Sequence, residues 1–161
     1  VALAAQELTT DSRVAKVYGR LSRKRRDAVL TQVTRVVDAW WEAAYLGGDY
    51  PRRSFDKPFP GFTKGAEARA RRDKALMTSR DISEDIDSVV AQQRRVQLDV
   101  LAVGRRPRSV TARFKLRFDA MSGETSKRVV VRGRLFLTQR KGTWRIFGYD
   151  VAKASGKGGK A

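Results

Sequence analysis

The feature that most constrains the fold is a switch in hydrophobic spacing, from helical to alternating, near Arg94. In residues 108–118 every second side chain is apolar: Val110, Ala112, Phe114, Leu116 and Phe118. Strict alternation of this kind is typical of a β-strand with one buried and one solvated face. Residues 94–103, 126–139 and 143–151 have the same spacing, and short turns separate the four segments. Because strands joined by short turns pair antiparallel, the sequence predicts a four-stranded antiparallel meander.

The N-terminal part of the chain has helical spacing instead. Residues 13–21 place apolar side chains at positions i, i+3, i+4 and i+7: Val14, Val17, Tyr18 and Leu21. A longer stripe of the same kind runs from Val29 to Tyr45 and ends at Gly47. Glycine is common just past the end of a helix, so we expect helix up to residue 46. The pattern leaves open whether this is one helix or two with a break near Arg25.

The middle of the chain combines a loop with short helices. Residues 48–62 are rich in proline and aromatic side chains, which predicts a loop that packs onto the core. Residues 65–78, after a cap at Thr63, and residues 82–90 predict short helices. The predicted fold class is therefore α+β, with a long N-terminal helix and short helices packed on a curved four-stranded antiparallel sheet.

Net charge is the strongest compositional signal. Lys and Arg number 35 against 17 Asp and Glu, which gives a formal charge of +18. A field of this sign attracts anions over a Debye length of about 8 Å at physiological salt. The predicted partners are an acidic protein or an anionic polymer, with nucleic acid and anionic lipid headgroups as alternatives. An arginine-rich composition that reflects only genomic base bias remains a further interpretation.

The absence of two residue types narrows the chemistry. The chain has no Cys and no His, which excludes disulfides, zinc–cysteine sites and the commonest general base. We therefore predict no cofactor, no metal site and no catalytic residues. No apolar run approaches the roughly 18 residues of a membrane-spanning helix. The first residue is Val1 and not an initiator methionine. The sequence is therefore compatible with a true start at this residue and with an upstream signal or membrane anchor.

The predicted strands carry their cations on the side opposite the core. If neighbouring strands pair, these side chains form a basic band across the outer sheet face: Arg113, Lys115, Arg117, Arg132, Arg134 and Arg145. We expect either an anion- or partner-binding face or a merely solvated basic face. Like charges would repel across a two-fold axis, which favours a monomer or a weak homodimer. The aromatic side chains Phe136, Phe147 and Tyr149 are expected on this face as well.

The adjacent tryptophans, Trp40 and Trp41, raise the question of a ligand pocket. Neighbouring residues on a helix point about 100° apart, so the two indoles cannot face the same place. The aromatic cluster either closes the core or lines the rim of a pocket. In the second case, acids in an apolar cavity would be candidates for a general base. The candidate pocket residues are Asp38, Trp41, Tyr45, Tyr50 and Asp150.

The order of elements and the final strand GTWRIFGYDV resemble the nuclear transport factor 2-like (cystatin-like cone) superfamily, over about residues 28–152. The chain looks most like its actinobacterial Mce-associated proteins and the periplasmic domain of the type IV secretion inner-membrane scaffold. The resemblance implies a cone-like domain over 28–152. Spacing and composition predict a basic helical extension over 1–27 before it and a flexible basic tail over 153–161 after it.

The same resemblance shapes the functional expectation. It implies an extracytoplasmic, membrane-anchored domain that binds or scaffolds and does not catalyse. The alternatives are a cytoplasmic nucleic-acid binding protein, and a small-ligand pocket protein or an Asp-based enzyme of the same fold. Pocket enzymes of the superfamily commonly use His or Asp, and only the Asp version is compatible with a chain that lacks histidine.

Overall fold

A single mixed sheet with helices on one face organises residues 8–157, the part of the chain that the computed structural model describes. In chain order the elements are β1 (Asp11–Tyr18), α1 (Arg23–Trp41), α2 (Lys64–Arg72), α3 (Lys74–Met77), β2 (Ser88–Val103), β3 (Arg106–Ser122), β4 (Thr125–Arg140) and β5 (Thr143–Lys157). A π-helical turn, Glu42–Leu46, continues α1.

The sheet has five strands in the order β1-β2-β3-β4-β5. Strands β2 to β5 pair antiparallel with their neighbours, whereas β1 pairs parallel with β2 between Arg95 and Leu101. The predicted fold class, with its four-stranded antiparallel sheet and long N-terminal helix, is therefore wrong. The first described element is an edge strand, which makes the sheet mixed.

Strand β1 explains this error. Its pairing with β2 shifts between Val14 and Lys16, so that Val14 and Val17 both contact the core although they are three residues apart. The bulge adds one residue between two core-facing side chains, so they are three positions apart instead of two. A separation of three positions is also the spacing of residues on one face of a helix. The helix predicted over 13–21, and with it the helical N-terminal extension over 1–27, is wrong for residues 11–18. Residues 1–7 lie outside the described part of the chain.

Helix α1 supplies the main apolar face against the sheet. It begins after Ser22, whose hydroxyl accepts a hydrogen bond from the backbone N–H of Arg25 at 3.2 Å. After Trp41 the backbone widens into the π-helical turn, which closes with a bond from Gly47 N–H to the carbonyl of Glu42 at 2.7 Å. The fully or almost fully buried residues of this rod are Val29, Val33, Val37, Trp40, Trp41, Ala44 and Tyr45. The predicted stripe and its end near Gly47 are confirmed.

The remaining predictions have mixed outcomes. Thr63 caps α2 as expected, through its hydroxyl and Ala66 N–H. The helix predicted over 82–90 is wrong, because β2 already begins at Ser88. The four strand predictions are confirmed in position. The last strand is longer than expected, since residues 153–157 of the predicted flexible tail pair with β4. Residues 158–161 lie outside the described part.

Candidate anion-binding face

The outer face of the sheet, opposite the helices, carries three cations side by side. Arg95 lies in register with Lys115, and Lys115 lies in register with Arg132. Residues in register on neighbouring strands share a face, and neighbouring strands are about 4.8 Å apart, so the three backbone positions span roughly 10 Å. All three side chains are exposed. We call Arg95, Lys115 and Arg132 the cationic row.

The cationic row is not neutralised from within the described chain. None of the ion pairs between residues 8 and 157 involves its three members. Asp11 lies in register with Arg95 on β1, but the two side chains form no ion pair. At the other end of the row, β5 contributes the methyl side chain of Ala152. The three side chains of the row therefore face solvent without an ion pair to any described residue.

The adjacent row differs in this respect. Arg113 and Arg134 lie in register with each other. However, Arg113 pairs with Asp99 at 3.1 Å, and Arg134 pairs with Asp150 at 2.9 Å. Among the described residues, the sheet thus forms ion pairs with both members of this row and with no member of the cationic row.

The six cations predicted for this face lie there with different surroundings. Arg113 and Arg134 are paired, Lys115 and Arg132 belong to the cationic row, and Arg145 is exposed near the β4–β5 turn. Arg117 is half-buried, and its Nε atom has no hydrogen-bond partner among the described residues. Sequence reasoning missed Arg95, although it precedes Val96 and Leu98 in an alternating strand and so had to face outward.

Two open recesses flank the cationic row. The first, of about 300 Å³, lies between Lys115 and Arg132 and the small side chains of Ala152 and Ala154. The second, of about 370 Å³, lies beside Arg95 at the edge strand and also includes Asp11. The methyl side chains of Ala152 and Ala154 project only a short distance from β5, so an anionic group can approach Lys115 and Arg132 from that side.

A pair of aromatic rings lies on the same face. The centroids of Phe136 and Phe147 are 6.4 Å apart, and the guanidinium carbon of Arg134 is 5.7 Å from the Phe136 centroid. Phe147 is 51% exposed, so about half of its surface is in contact with water. The expectation that both rings lie on the outer face is confirmed.

Tyr149 does not join them. The pairing of β4 with β5 shifts between Phe136 and Leu137, which reverses the phase of β5, so Tyr149 is buried on the helix side. Its hydroxyl donates to Asp73 at 2.6 Å. Burial, followed by the hydrogen bond and the charge of Asp73, raises the pKa of Tyr149 well above its ordinary value. The expected position of Tyr149 on the outer face is therefore wrong.

The predicted pocket residues are not brought together. Trp41 and Tyr45 are fully buried, and the Tyr45 hydroxyl donates to the carbonyl of Leu76 at 2.7 Å. Burial, and secondarily the charges of Asp81 and Tyr149, raises the pKa of Tyr45. These residues close the core, as the first interpretation of the tryptophan cluster expected.

The other three candidates lie apart. The Tyr50 hydroxyl donates to the carbonyl of Tyr45 at 2.6 Å, within the loop packing. Asp150 is exposed on the outer face. Asp38 is half-buried and accepts from Arg94 at 3.0 Å. Of the five candidates, Asp38 alone lines an open groove of about 640 Å³ between α1 and the start of β2.

Arg94 gives that groove a structural explanation. Its side chain is only 12% exposed and donates to Asp38 at 3.0 Å and to Glu42 at 3.1 Å. Its guanidinium carbon is 5.6 Å from the ring centroid of Trp41. Arg94 therefore ties the edge of the sheet to the end of α1. The acids beside it are held in ion pairs near solvent, not in an apolar cavity.

Within residues 8–157, no three acidic side chains cluster closely enough to hold a metal ion. In the same range, no helix is long and apolar enough to cross a membrane. Comparison of the chain with protein-family models, curated proteins and solved structures gave no significant match. The resemblance to the nuclear transport factor 2-like superfamily therefore stays a prediction.

Proposed function

We propose that this chain is a non-enzymatic binding or scaffolding domain, whose outer sheet face contacts an acidic protein surface or an anionic polymer. The observation that carries this proposal is the cationic row, in which Arg95, Lys115 and Arg132 oppose one another without an acid between them. The extracytoplasmic, membrane-anchored location that the resemblance implies is part of the same proposal.

The energetics of the sheet support a ligand role for the row. Like charges directly opposite each other on neighbouring strands destabilise a sheet by about 0.2–1 kcal/mol per pair. The chain avoids this cost at Arg113 and Arg134 by placing Asp99 and Asp150 beside them. At the cationic row, the repulsion between like charges would be offset if a bound anion took the place that Asp99 and Asp150 occupy beside Arg113 and Arg134. A phosphate, a sulfate or a run of carboxylates has the required charge.

Single-stranded nucleic acid is the second candidate, because of Phe136 and Phe147. Exposed rings beside a cationic groove are the arrangement on which successive bases stack. The ring pair lies next to Arg134, and the row of Arg113 and Arg134 separates it from the cationic row. A pocket enzyme has less support, because the acids proposed for it, Asp38 and Asp150, lie at separate solvent-facing positions.

The test measures the affinity of the full chain for two labelled polyanions, poly-glutamate and an oligothymidylate, by fluorescence anisotropy over a range of salt. We expect salt-dependent binding, and we expect the variant K115Q/R132Q to lose about tenfold or more in affinity. The matched control, R53Q/K57Q, removes the same charge from exposed positions in the loop before α2. Equal losses in both variants would show that only net charge matters, and the outer face would lose its assigned role.

The ring pair separates the two candidates. If the partner is nucleic acid, F136A/F147A weakens oligothymidylate binding by about tenfold, since each stacked base contributes about 1–3 kcal/mol. Poly-glutamate binding should be unchanged in this variant. If both ligands bind equally well to the variant and to the parent chain, the nucleic-acid alternative is wrong and the acidic-polymer proposal stands.

A further inference from the structure

Three large apolar side chains are exposed together at one corner of the outer face. Tyr18, Leu101 and Val103 are 49%, 44% and 51% exposed. Tyr18 lies in register with Leu101 on the neighbouring strand, and Val103 follows two residues later, beyond the buried Ala102. Because residues i and i+2 of a strand point to the same face, the three form one patch. We call Tyr18, Leu101 and Val103 the apolar corner.

Cations surround the apolar corner at the same end of the sheet. The β2–β3 turn follows Val103 directly, with Arg105 at its tip in the left-handed conformation (φ 62°). The Arg25 guanidinium donates to the carbonyl of Arg105, which joins this turn to the start of α1. The exposed basic residues of these two segments are Arg20, Arg23, Lys24, Arg25, Arg26, Arg105, Arg106 and Arg108. We call them the cationic rim.

Apart from the hydrogen bond that Arg25 donates to the turn, folding does not account for either set. None of the ion pairs between residues 8 and 157 involves the cationic rim. Cations in the first turn of a helix oppose the helix dipole, and α1 has no acid there to offset them. Leu101 and Val103 point away from the core and leave apolar surface in water. Both features therefore suit a partner with an anionic surface and an apolar interior.

The size and chemistry of the patch favour a bilayer. Three half-exposed side chains offer on the order of 300 Å² of apolar surface, well below the roughly 800 Å² per partner of a stable protein interface. Nucleic acid would use the cations and the ring of Tyr18 but would leave Leu101 and Val103 in water, because neither has a ring on which a base can stack. A peripheral membrane site uses both features: apolar side chains enter the boundary between headgroups and acyl chains, and cations attract anionic headgroups.

We propose that the apolar corner and the cationic rim dock this chain peripherally on an anionic lipid bilayer, with Leu101 and Val103 entering the interfacial layer. The site is separate from the cationic row, so it does not depend on the function proposed above. In this orientation the β2–β3 turn faces the membrane, and the rest of the outer face stays available to a partner in solution.

The test is sedimentation of the full 161-residue chain with vesicles of phosphatidylcholine, alone or mixed with phosphatidylglycerol. We expect binding to the mixed vesicles only. L101S/V103S, which keeps every charge, and R105Q/R106Q should each lower the partition coefficient about tenfold or more. The controls are F147S, which removes an equally exposed apolar side chain elsewhere on this face, and R53Q/K57Q, which removes two exposed charges from the loop before α2. Both controls should stay within about twofold of the parent chain.

A tryptophan reporter keeps the test informative if a double variant fails to fold. In V103W the new indole starts in water, and its emission should shift to shorter wavelength when phosphatidylglycerol vesicles are added. F147W should show no shift. The proposal is overturned if the parent chain does not bind the mixed vesicles. It is also overturned if L101S/V103S binds as well as the parent, if V103W shows no shift, or if the controls lose as much as the corner variants.

Discussion

Lys115 is flanked in register by Arg95 on one strand and by Arg132 on the other, so its charge meets a like charge on each side. Each such contact costs about 0.2–1 kcal/mol at low salt. Removing the charge with Lys115→Gln should therefore raise the free energy of unfolding by about 1 kcal/mol. For a domain of this size, that corresponds to an increase in Tm of about 2–4 °C. The same change should weaken polyanion binding, so stability and affinity are expected to move in opposite directions.

The assay is urea unfolding followed by the fluorescence of the buried tryptophans, at low and at high salt. The Debye length falls from about 30 Å at 0.01 M salt to about 3 Å at 1 M, so the stability difference should largely disappear at high salt. Lys57→Gln, in the exposed loop, is the matched control and should change stability little. Lys115→Glu should stabilise further, because it turns both repulsive contacts into attractive ones.

The reasoning would be refuted if Lys115→Gln were less stable than the parent chain at low salt. That result would mean that the Lys115 ammonium contributes favourable interactions that the register of the strands does not reveal. An increase in stability that persists unchanged at 1 M salt would point to packing or strand propensity instead of charge. In either case the cationic row could not be explained as a site that sacrifices stability for binding.

Three further predictions concern the framework that holds the face in place. Arg94→Met should lower the free energy of unfolding by about 2 kcal/mol in urea titrations, because it leaves the half-buried carboxylate of α1 without its cation. Gly133→Ala should cost about 3 kcal/mol or more, or yield little soluble protein, since a Cβ would lie 2.0 Å from the carbonyl oxygen of Asp150 at a φ of 153°. Above about pH 10 the parent chain should lose stability as pH rises, because the raised pKa of Tyr149 keeps the folded state protonated while the unfolded state ionises. Tyr149→Phe should lose less over the same alkaline range in thermal melts, and an identical slope would contradict the assigned environment of the hydroxyl beside Asp73.

The C-terminal sheet could be predicted because its signal is local. In β3 every second residue from Val110 to Ala120 is buried, so the alternation of the sequence maps directly onto the two faces. The edge strand β1 could not be predicted in the same way. Its bulge gives Val14 and Val17 a helical spacing, and its partner in β2 is far along the chain. Neither the bulge nor the pairing with β2 can be read from the residues of β1 and their immediate neighbours in the sequence.

The candidate site shows the same division. Outward cations follow from alternation, and so the basic face could be predicted. Which of them are neutralised depends on register: Asp99 reaches Arg113 across strands, whereas Lys115 meets only cations. The phase of β5 depends on a bulge, which is why Tyr149 lies on the helix side. The predicted pocket failed for a different reason, because helical spacing does not say whether an aromatic cluster encloses space or fills it.

The parallel pairing of β1 with β2 has a consequence for biosynthesis. The strand at Asp11–Tyr18 is the first described element to leave the ribosome, yet the residues with which it pairs are translated only from Arg95 onward. Until then its backbone groups bond to water, and the intervening helices and loop must be made first. Closing so large a loop is slow, so we infer that the nascent chain completes this edge of the sheet late.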